Sequence, residues 1–162
     1  MSDAQETVEQ LLRDLCDLED MHIGTGSGDG LFTTTQEAKH GPPHFFSLEE
    51  HGFWLGLDGE QWRLFAKLDA IQRVRFVRVP ALACARRPED PQIAGEESLA
   101  VHLVGQNDHA SLNFSFGHLY DEQDQPIAAR FALWEALRAK YGGRDELRVE
   151  NGRLISHAEA EK

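Results

Sequence analysis

Apolar residues recur at helical spacing near the start of the chain. Intervals of three and four place five of them on one helix face: Val8, Leu11, Leu12, Leu15 and Leu18. Ser2 and Gln5 have the spacing of a capping box. We therefore predict an N-terminal helix that begins at Ser2 and ends near Asp20.

A second helical pattern lies between Pro126 and the Gly142-Gly143 pair, residues that favour the start and the end of a helix. Its apolar stripe consists of Ile127, Phe131, Trp134, Leu137 and Tyr141. The pattern predicts a C-terminal helix over residues 126–141.

Between these helices the pattern changes to short extended segments separated by turn signals. The predicted strands are 45–48, 52–57, 61–68, 71–79, 97–104 and 110–116, with two more around Asn151-Gly152. Asp58-Gly59 marks a hairpin within this series. The fold class is therefore α+β, with one large antiparallel β-sheet of at least six strands and a flanking helix at each end.

Alternation within the strands predicts which side chains face the core. The expected inward residues are Trp62, Leu64, Ala66, Leu68, Val74, Phe76, Leu112, Phe114 and Phe116. The expected outward residues are Arg63, Phe65, Lys67, Arg73, Arg75, Ser111, Asn113 and Ser115. His102, opposite the apolar side of its strand, is expected at solvent or at an interface.

The 162 residues suit a single domain spanning 1–162, long enough to bury a full core. Three segments are expected outside the regular elements: a flexible glycine-rich loop over 24–30, a long loop over 80–96 and a charged tail over 157–162. A loop of that length borders a site or is a tolerated insertion.

Charge is distributed unevenly along the chain. Residues 63–87, here called the basic strip, carry a local charge of +6 in a chain of net charge -12, which leaves -18 for the rest. Its basic residues are Arg63, Lys67, Arg73, Arg75, Arg78, Arg86 and Arg87. The strip either meets a small anionic ligand or consists of solvated charges paired with acids elsewhere.

Composition excludes several classes of protein. No apolar run reaches the roughly 18 residues of a membrane span, and the acidic first ten residues do not resemble a signal peptide. Cys16 and Cys84 lack CxxC spacing, so we expect a reduced, cytoplasmic protein with no membrane partner. The acidic pI of about 5.0 makes nucleic acid an unlikely partner.

The sequence names no general acid, base or nucleophile. The glycines at 24–30 fit neither a GxGxxG register nor a P-loop, and Ser27 lacks the flanking glycines of a nucleophile elbow. We therefore expect a non-catalytic protein, although enzymatic activity stays open.

Three of the eight histidines, His40, His44 and His51, fall within a dozen residues. Imidazole nitrogens are common ligands of zinc and iron. The Gly41-Pro42-Pro43 segment prevents a helical pair of ligands, so these residues are candidate metal ligands only as loop or strand histidines.

The tract from His44 to Pro80 resembles the haem-utilisation family of the HemS, ChuX and HutX type. The resemblance lies in an aromatic-rich first strand, in Ala66-Lys67-Leu68-Asp69, and in a following strand that closes on a proline. Glu97-Ser98-Leu99 and the residues Arg130, Phe131, Trp134 and Leu137 of the last helix extend it to about two thirds of the chain.

The resemblance implies a single-repeat member that pairs as a homodimer and binds haem, an anionic tetrapyrrole. Arg73, Arg75 and Lys67 would then hold its carboxylates, while Trp54, Trp62 and Phe65 would supply apolar contact. Outward apolar side chains on the strands also favour a homodimer that covers a sheet face.

Two features depart from the family. Phe65 stands where members often have a histidine, and the 80–95 segment is longer than the usual connection. Haem binding is therefore retained through another histidine, replaced by binding of another anion, or lost. The resulting hypotheses are a haem or tetrapyrrole carrier and an interaction module of the same fold.

Overall fold

The computed structural model of the chain describes residues 6–26, 32–34, 40–80, 97–106 and 110–155. Its two helices are α1 (Val8–Cys16) and α2 (Ala128–Lys140). Its strands are β1 (Met21–Gly26), β2 (Phe32–Thr34), β3 (His44–Leu48), β4 (Gly52–Asp58), β5 (Arg63–Lys67), β6 (Arg73–Pro80), β7 (Glu97–Val104), β8 (Ala110–Phe116), β9 (Glu146–Glu150) and β10 (Arg153–Ile155). Neither described helix is long and apolar enough to cross a membrane.

The strands form two antiparallel sheets. Seven of them make a large sheet in the order β10-β9-β6-β7-β8-β1-β2, and β3, β4 and β5 make a small one. The predicted α+β fold with a large antiparallel sheet and two helices is confirmed. The meander is not continuous, because a 3-10 turn over Leu68–Ala70 separates β5 from β6 and Asp69 accepts the Phe53 N–H at 2.8 Å.

Helix α1 begins later than the capping-box spacing predicts. Thr7 is extended and accepts the Gln10 N–H at 3.1 Å as the N-cap, and it pairs with Arg153 of β10. Residues 6 and 7 are therefore used as a short extended segment, and Ser2 lies outside the described residues. At its other end α1 stops at Cys16 rather than near Asp20.

The glycine-rich segment is partly a strand. Gly24 and Gly26 lie in β1, where Gly24 pairs with Thr34 of β2 and Asn113 of β8, so the prediction of a loop over 24–30 is wrong for residues 24–26. Ladder hydrogen bonds use the backbone alone, and glycine can make them. Residues 27–30, 81–96 and the tail 157–162 lie outside the described part of the chain.

One hydrophobic core fills the space between both sheets and both helices. The large sheet contributes Ile23, Val74, Phe76, Val101, Leu103, Leu112 and Phe114, the small sheet Leu55 and Leu57, and the helices Leu11, Leu12, Leu15 and Trp134. The Trp134 indole packs edge-on against Phe76 and donates its Nε1–H to the Ala100 carbonyl at 3.1 Å. Helix α2 is thereby fixed over β6 and β7.

Polar contacts join the helices to the rest of the molecule. The Arg130 guanidinium, only 8% exposed, donates to the carbonyls of Gly117 at 3.2 Å and Asp20 at 3.1 Å. Asp14 of α1 accepts from Lys140 Nζ and from the Tyr141 hydroxyl, both at 2.6 Å. Burial and the hydrogen bond to Asp14 raise the pKa of Tyr141 well above its ordinary value, so it stays a donor.

Candidate functional site

The small sheet has an apolar side that is turned away from the core. We call it the aromatic face and define it by Phe46, Leu48, Trp54 and Phe65 around Gly56. Phe46 lies opposite Trp54, and Gly56 lies opposite Phe65, so the rings occupy neighbouring positions across three strands. The other side of the same strands packs into the core through Leu55 and Leu57.

Gly56 leaves room for two aromatic rings at the middle of this face. A Cβ at this position would lie 3.3 Å from Phe46 Cε1 and 3.4 Å from Phe65 Cε1, so the two rings occupy the space of a side chain. The rings meet edge to face at 6.1 Å between centroids. Phe65 is nevertheless 57% exposed and Leu48 46% exposed, which makes this a contiguous apolar surface in contact with water.

The tryptophan of the aromatic face is held in place by a hydrogen bond. Trp54 donates its Nε1–H to the His51 carbonyl at 2.8 Å, across the turn that joins β3 to β4. The indole NH is thus satisfied within the protein, and its ring surface is left for apolar contact.

Two polar residues stand beside the aromatic rings. Lys67 lies opposite Trp54 in the ladder and, among the described residues, has no ion pair, whereas Arg63 pairs with Asp58 at 2.7 Å. His44 is exposed and lies opposite Gly56 on β3. A cation and an imidazole therefore border the apolar surface.

The predicted histidines do not converge. His51 is in the turn after β3, near Trp54, and His44 is on the aromatic face. His40 pairs with Gly59, its Nδ1 lies 2.7 Å from the Gly41 carbonyl, and its ring contacts Trp62. Within the described ranges, no group of three metal-ligating side chains forms.

Trp62 differs from the other aromatic residues predicted to contact a ligand. It is half-buried against the core, and its ring lies over Gly59. The structure therefore brings together Trp54, Phe65, Lys67 and His44, and leaves Trp62 on the other side of the small sheet.

The predicted arginine pair lies on the large sheet. Arg73 and Arg75 of β6 share the side away from the core, which we call the outer face, while Val74 and Phe76 are buried as predicted. Both guanidiniums contact Glu146 of β9, Arg75 through Nε at 2.7 Å and Arg73 through Nη1 at 3.7 Å.

Most of the described basic strip is paired with acids. Besides these contacts and the Arg63–Asp58 pair, Arg78 bonds Glu97 at 2.8 Å and Glu135 at 3.3 Å. The Arg78 hydrogen bond lowers the pKa of Glu97 and raises that of Arg78. Of the two interpretations of the strip, solvated ion pairs account for these four arginines, and Lys67 is left as the candidate for an anion.

Two outer-face residues were missed by sequence reasoning as site candidates. His102 lies opposite Arg75 and Asn113 in the ladder, and its pKa is lowered by burial and then by the Arg75 charge. Asn113 was expected at solvent but is only 9% exposed, and its Oδ1 accepts no hydrogen bond from any residue that the structure describes. The alternation of β8 gives the correct face but carries no signal for this burial.

No protein-family model matches this chain, and no curated protein matches its sequence. Solved structures do match. The haem-binding protein ChuX superposes with a TM-score of 0.56 at 10% identity, covering 82% of this chain and 71% of that one.

Two further structures agree. A second ChuX crystal structure gives a TM-score of 0.55 at 11% identity, covering 82% of this chain and 70% of that one. A structural-genomics structure from Agrobacterium tumefaciens gives 0.51 at 18% identity, covering 82% and 65%. The fold is ChuX-like.

Proposed function

We propose that this protein is a cytoplasmic, non-catalytic carrier of haem or a related anionic tetrapyrrole, and that the ligand lies on the aromatic face. The observation that carries the proposal is the exposed apolar surface formed over Gly56, with Phe65 57% exposed. The ChuX-like fold supports it, because ChuX is described as a haem-binding protein.

The residues on this face fit the chemistry of a tetrapyrrole. The macrocycle is flat and apolar, so Phe46, Trp54 and Phe65 would contact its plane. Lys67 would pair with a propionate, and His44 or His51 would supply a neutral nitrogen to iron. Phe65 offers no ligand atom, so iron ligation falls to these histidines.

The arginine pair stays a second predicted contact for the propionates. Arg73 and Arg75 are on the other sheet, and each already contacts Glu146. A propionate there would share the guanidiniums with that carboxylate, so we expect a smaller contribution than from Lys67.

An interaction module is the alternative function. Phe65 favours it, because an exposed ring that cannot ligate iron also suits contact with a second copy of this chain. The sequence predicts a homodimer, and we expect one for the carrier and for the interaction module alike. In a carrier the subunits meet away from the aromatic face, and in the module they meet over it.

Hemin titration of the purified protein separates the two functions. A carrier gives a sharp Soret shift that saturates at one equivalent. Phe65→Ser, at an exposed position, should lower hemin affinity about tenfold, since losing most of a ring contact of about 1.5–3 kcal/mol changes binding by that order. Leu133→Ser, at a 39% exposed position on α2, is the matched control and should bind as the parent does.

The opposite results identify the module or exclude it. Two results together would show that the protein is an interaction module and not a carrier. One is broad, non-saturating absorbance, and the other is a dimer in light scattering that Phe65→Ser dissociates. A monomer at tens of micromolar protein would contradict the homodimer in both forms.

A further inference from the structure

One row of residues crosses the outer face of the large sheet. The ladder places Gly24 of β1, Asn113 of β8, His102 of β7, Arg75 of β6 and Glu146 of β9 opposite one another in sequence. Directly opposite residues in an antiparallel pair have Cβ atoms about 4.5–5.5 Å apart. Asn113 and His102 can therefore contact one small molecule together.

Asn113 is the unusual member of this row. Its side chain is nine-tenths buried, and within the described part of the chain its Oδ1 is the one buried side-chain oxygen or nitrogen with no hydrogen-bond partner. The great majority of buried polar groups in proteins have a hydrogen-bond partner, and an unpaired one destabilises the fold. Such a group therefore points to a partner that binds there.

The neighbours of Asn113 define what that partner is. Gly24 has no side chain, so only backbone lies beside Asn113 on the β1 side of the ladder. His102 is half-buried on the other side, and burial and the Arg75 charge lower its pKa and keep it neutral. A neutral imidazole offers one donor and one acceptor nitrogen.

Charged ligands fit this pair poorly. A cation would meet the nearby Arg75 guanidinium, and an anion would place negative charge against the buried Asn113 oxygen. A neutral group that donates to Oδ1 and also accepts satisfies both residues.

We propose that Asn113 and His102 form a second binding site on the outer face, for a small neutral ligand with an amide-type edge. Lactams, imides and primary carboxamides present this edge, with an N–H donor beside a carbonyl acceptor. The site is separate from the aromatic face, so it does not depend on the proposed haem binding.

The first experiment uses 2-pyrrolidone as the probe and N-methyl-2-pyrrolidone, which lacks the N–H donor, as the control. Nitrogen-15 NMR of the full chain should show saturable shifts of the Asn113 side-chain amide and the His102 ring with 2-pyrrolidone, at millimolar affinity. The methylated compound should bind at least several-fold more weakly.

Variants of the protein make the test specific. Asn113→Leu should abolish the His102 response, while Ser115→Ala, at the next outward position of β8, should keep it. Removing an unpaired buried acceptor should also raise the melting temperature of Asn113→Leu, by roughly 2–4 °C. Asn113→Ala repeats the binding test with a side chain that fits within the space of asparagine.

Three results would overturn the proposal. One is the absence of a saturable shift with 2-pyrrolidone. Another is equal binding of the methylated compound or of both Asn113 variants. The third is a lower melting temperature for Asn113→Leu, which would show that bound water already satisfies Oδ1 and that the residue is structural.

Discussion

The two sheets differ in what they present on the side away from their common core. The small sheet exposes apolar rings to water, with Phe65 57% exposed. On that side of the large sheet Asn113 is only 9% exposed, and its Oδ1 has no hydrogen-bond partner among the described residues. Both arrangements are unfavourable for an isolated domain, and each is relieved by a different kind of partner.

This difference assigns different chemistry to the two surfaces. Exposed rings bind an apolar molecule by removing apolar surface from water, largely irrespective of the hydrogen-bonding groups of that molecule. The unpaired Asn113 oxygen is stabilised only by a ligand that donates a hydrogen bond to it. The two surfaces are therefore expected to act as separate sites.

The largest effect is expected from removing two rings of the aromatic face. Trp54→Ala with Phe65→Ser should weaken hemin binding roughly a hundredfold, because a fully buried aromatic side chain contributes about 1.5–3 kcal/mol and each 1.4 kcal/mol is tenfold. Soret titration measures the affinity, and circular dichroism checks that the sheet persists. Unchanged hemin affinity in a folded double variant would show that hemin does not bind to the small sheet.

A smaller effect is expected from the cations, and its pattern locates the propionates. Lys67→Gln should weaken hemin binding several-fold and reduce its salt dependence, because a charge contact is lost. Arg153→Gln on β10 is the control at an exposed position. The Arg73→Ala/Arg75→Ala variant should weaken binding less than Lys67→Gln does.

The reverse order of these two effects on hemin affinity would indicate a different binding surface. If the arginine pair has the larger effect, the propionates lie on the outer face and the comparison between the sheets fails for hemin. Titrations at low and high salt distinguish loss of charge from loss of structure, since only the former changes the salt slope.

The smallest effect concerns pH. The folded-state pKa of His102 lies below its ordinary value of 6.5, so the unfolded chain binds the proton more tightly. The contribution of neutral His102 to the free energy of unfolding is complete above about pH 6.5. It is lost as the pH falls through the folded-state pKa of His102. Urea unfolding at several pH values should show that His102→Gln flattens this decline.

A matched variant controls the pH test. His118→Gln changes an exposed histidine in the loop after β8 and should leave the decline unchanged. An identical pH profile for His102→Gln and the parent would show that the pKa of His102 does not differ between the folded and the unfolded chain.

Local alternation predicted much of what the sheets present. It gave the exposed Phe65 and Lys67 of β5 and the side of β6 that carries Arg73 and Arg75. It did not give the division into two sheets, which depends on the turn at Leu68–Ala70 and on Asp69 capping the Phe53 N–H. A polar side chain and the backbone of another strand decide that geometry.

Distance along the chain explains the other failures. Arg75 and its partner Glu146 are 71 positions apart, so the basic strip looked unpaired in sequence. The burial of Asn113 likewise depends on what covers the outer face, whereas its alternation with Leu112 and Phe114 is typical of a solvent position. Patterns within one strand carry no information about either.

The extended segment before α1 has a consequence for the order in which the protein folds on the ribosome. Val8 N–H donates to the Gly152 carbonyl and Leu154 N–H to the Glu6 carbonyl, both at 2.9 Å. Nine helical residues are too few to persist alone in water. Helix α1 therefore gains these two hydrogen bonds only after the β9-β10 hairpin, far along the chain, has been synthesised.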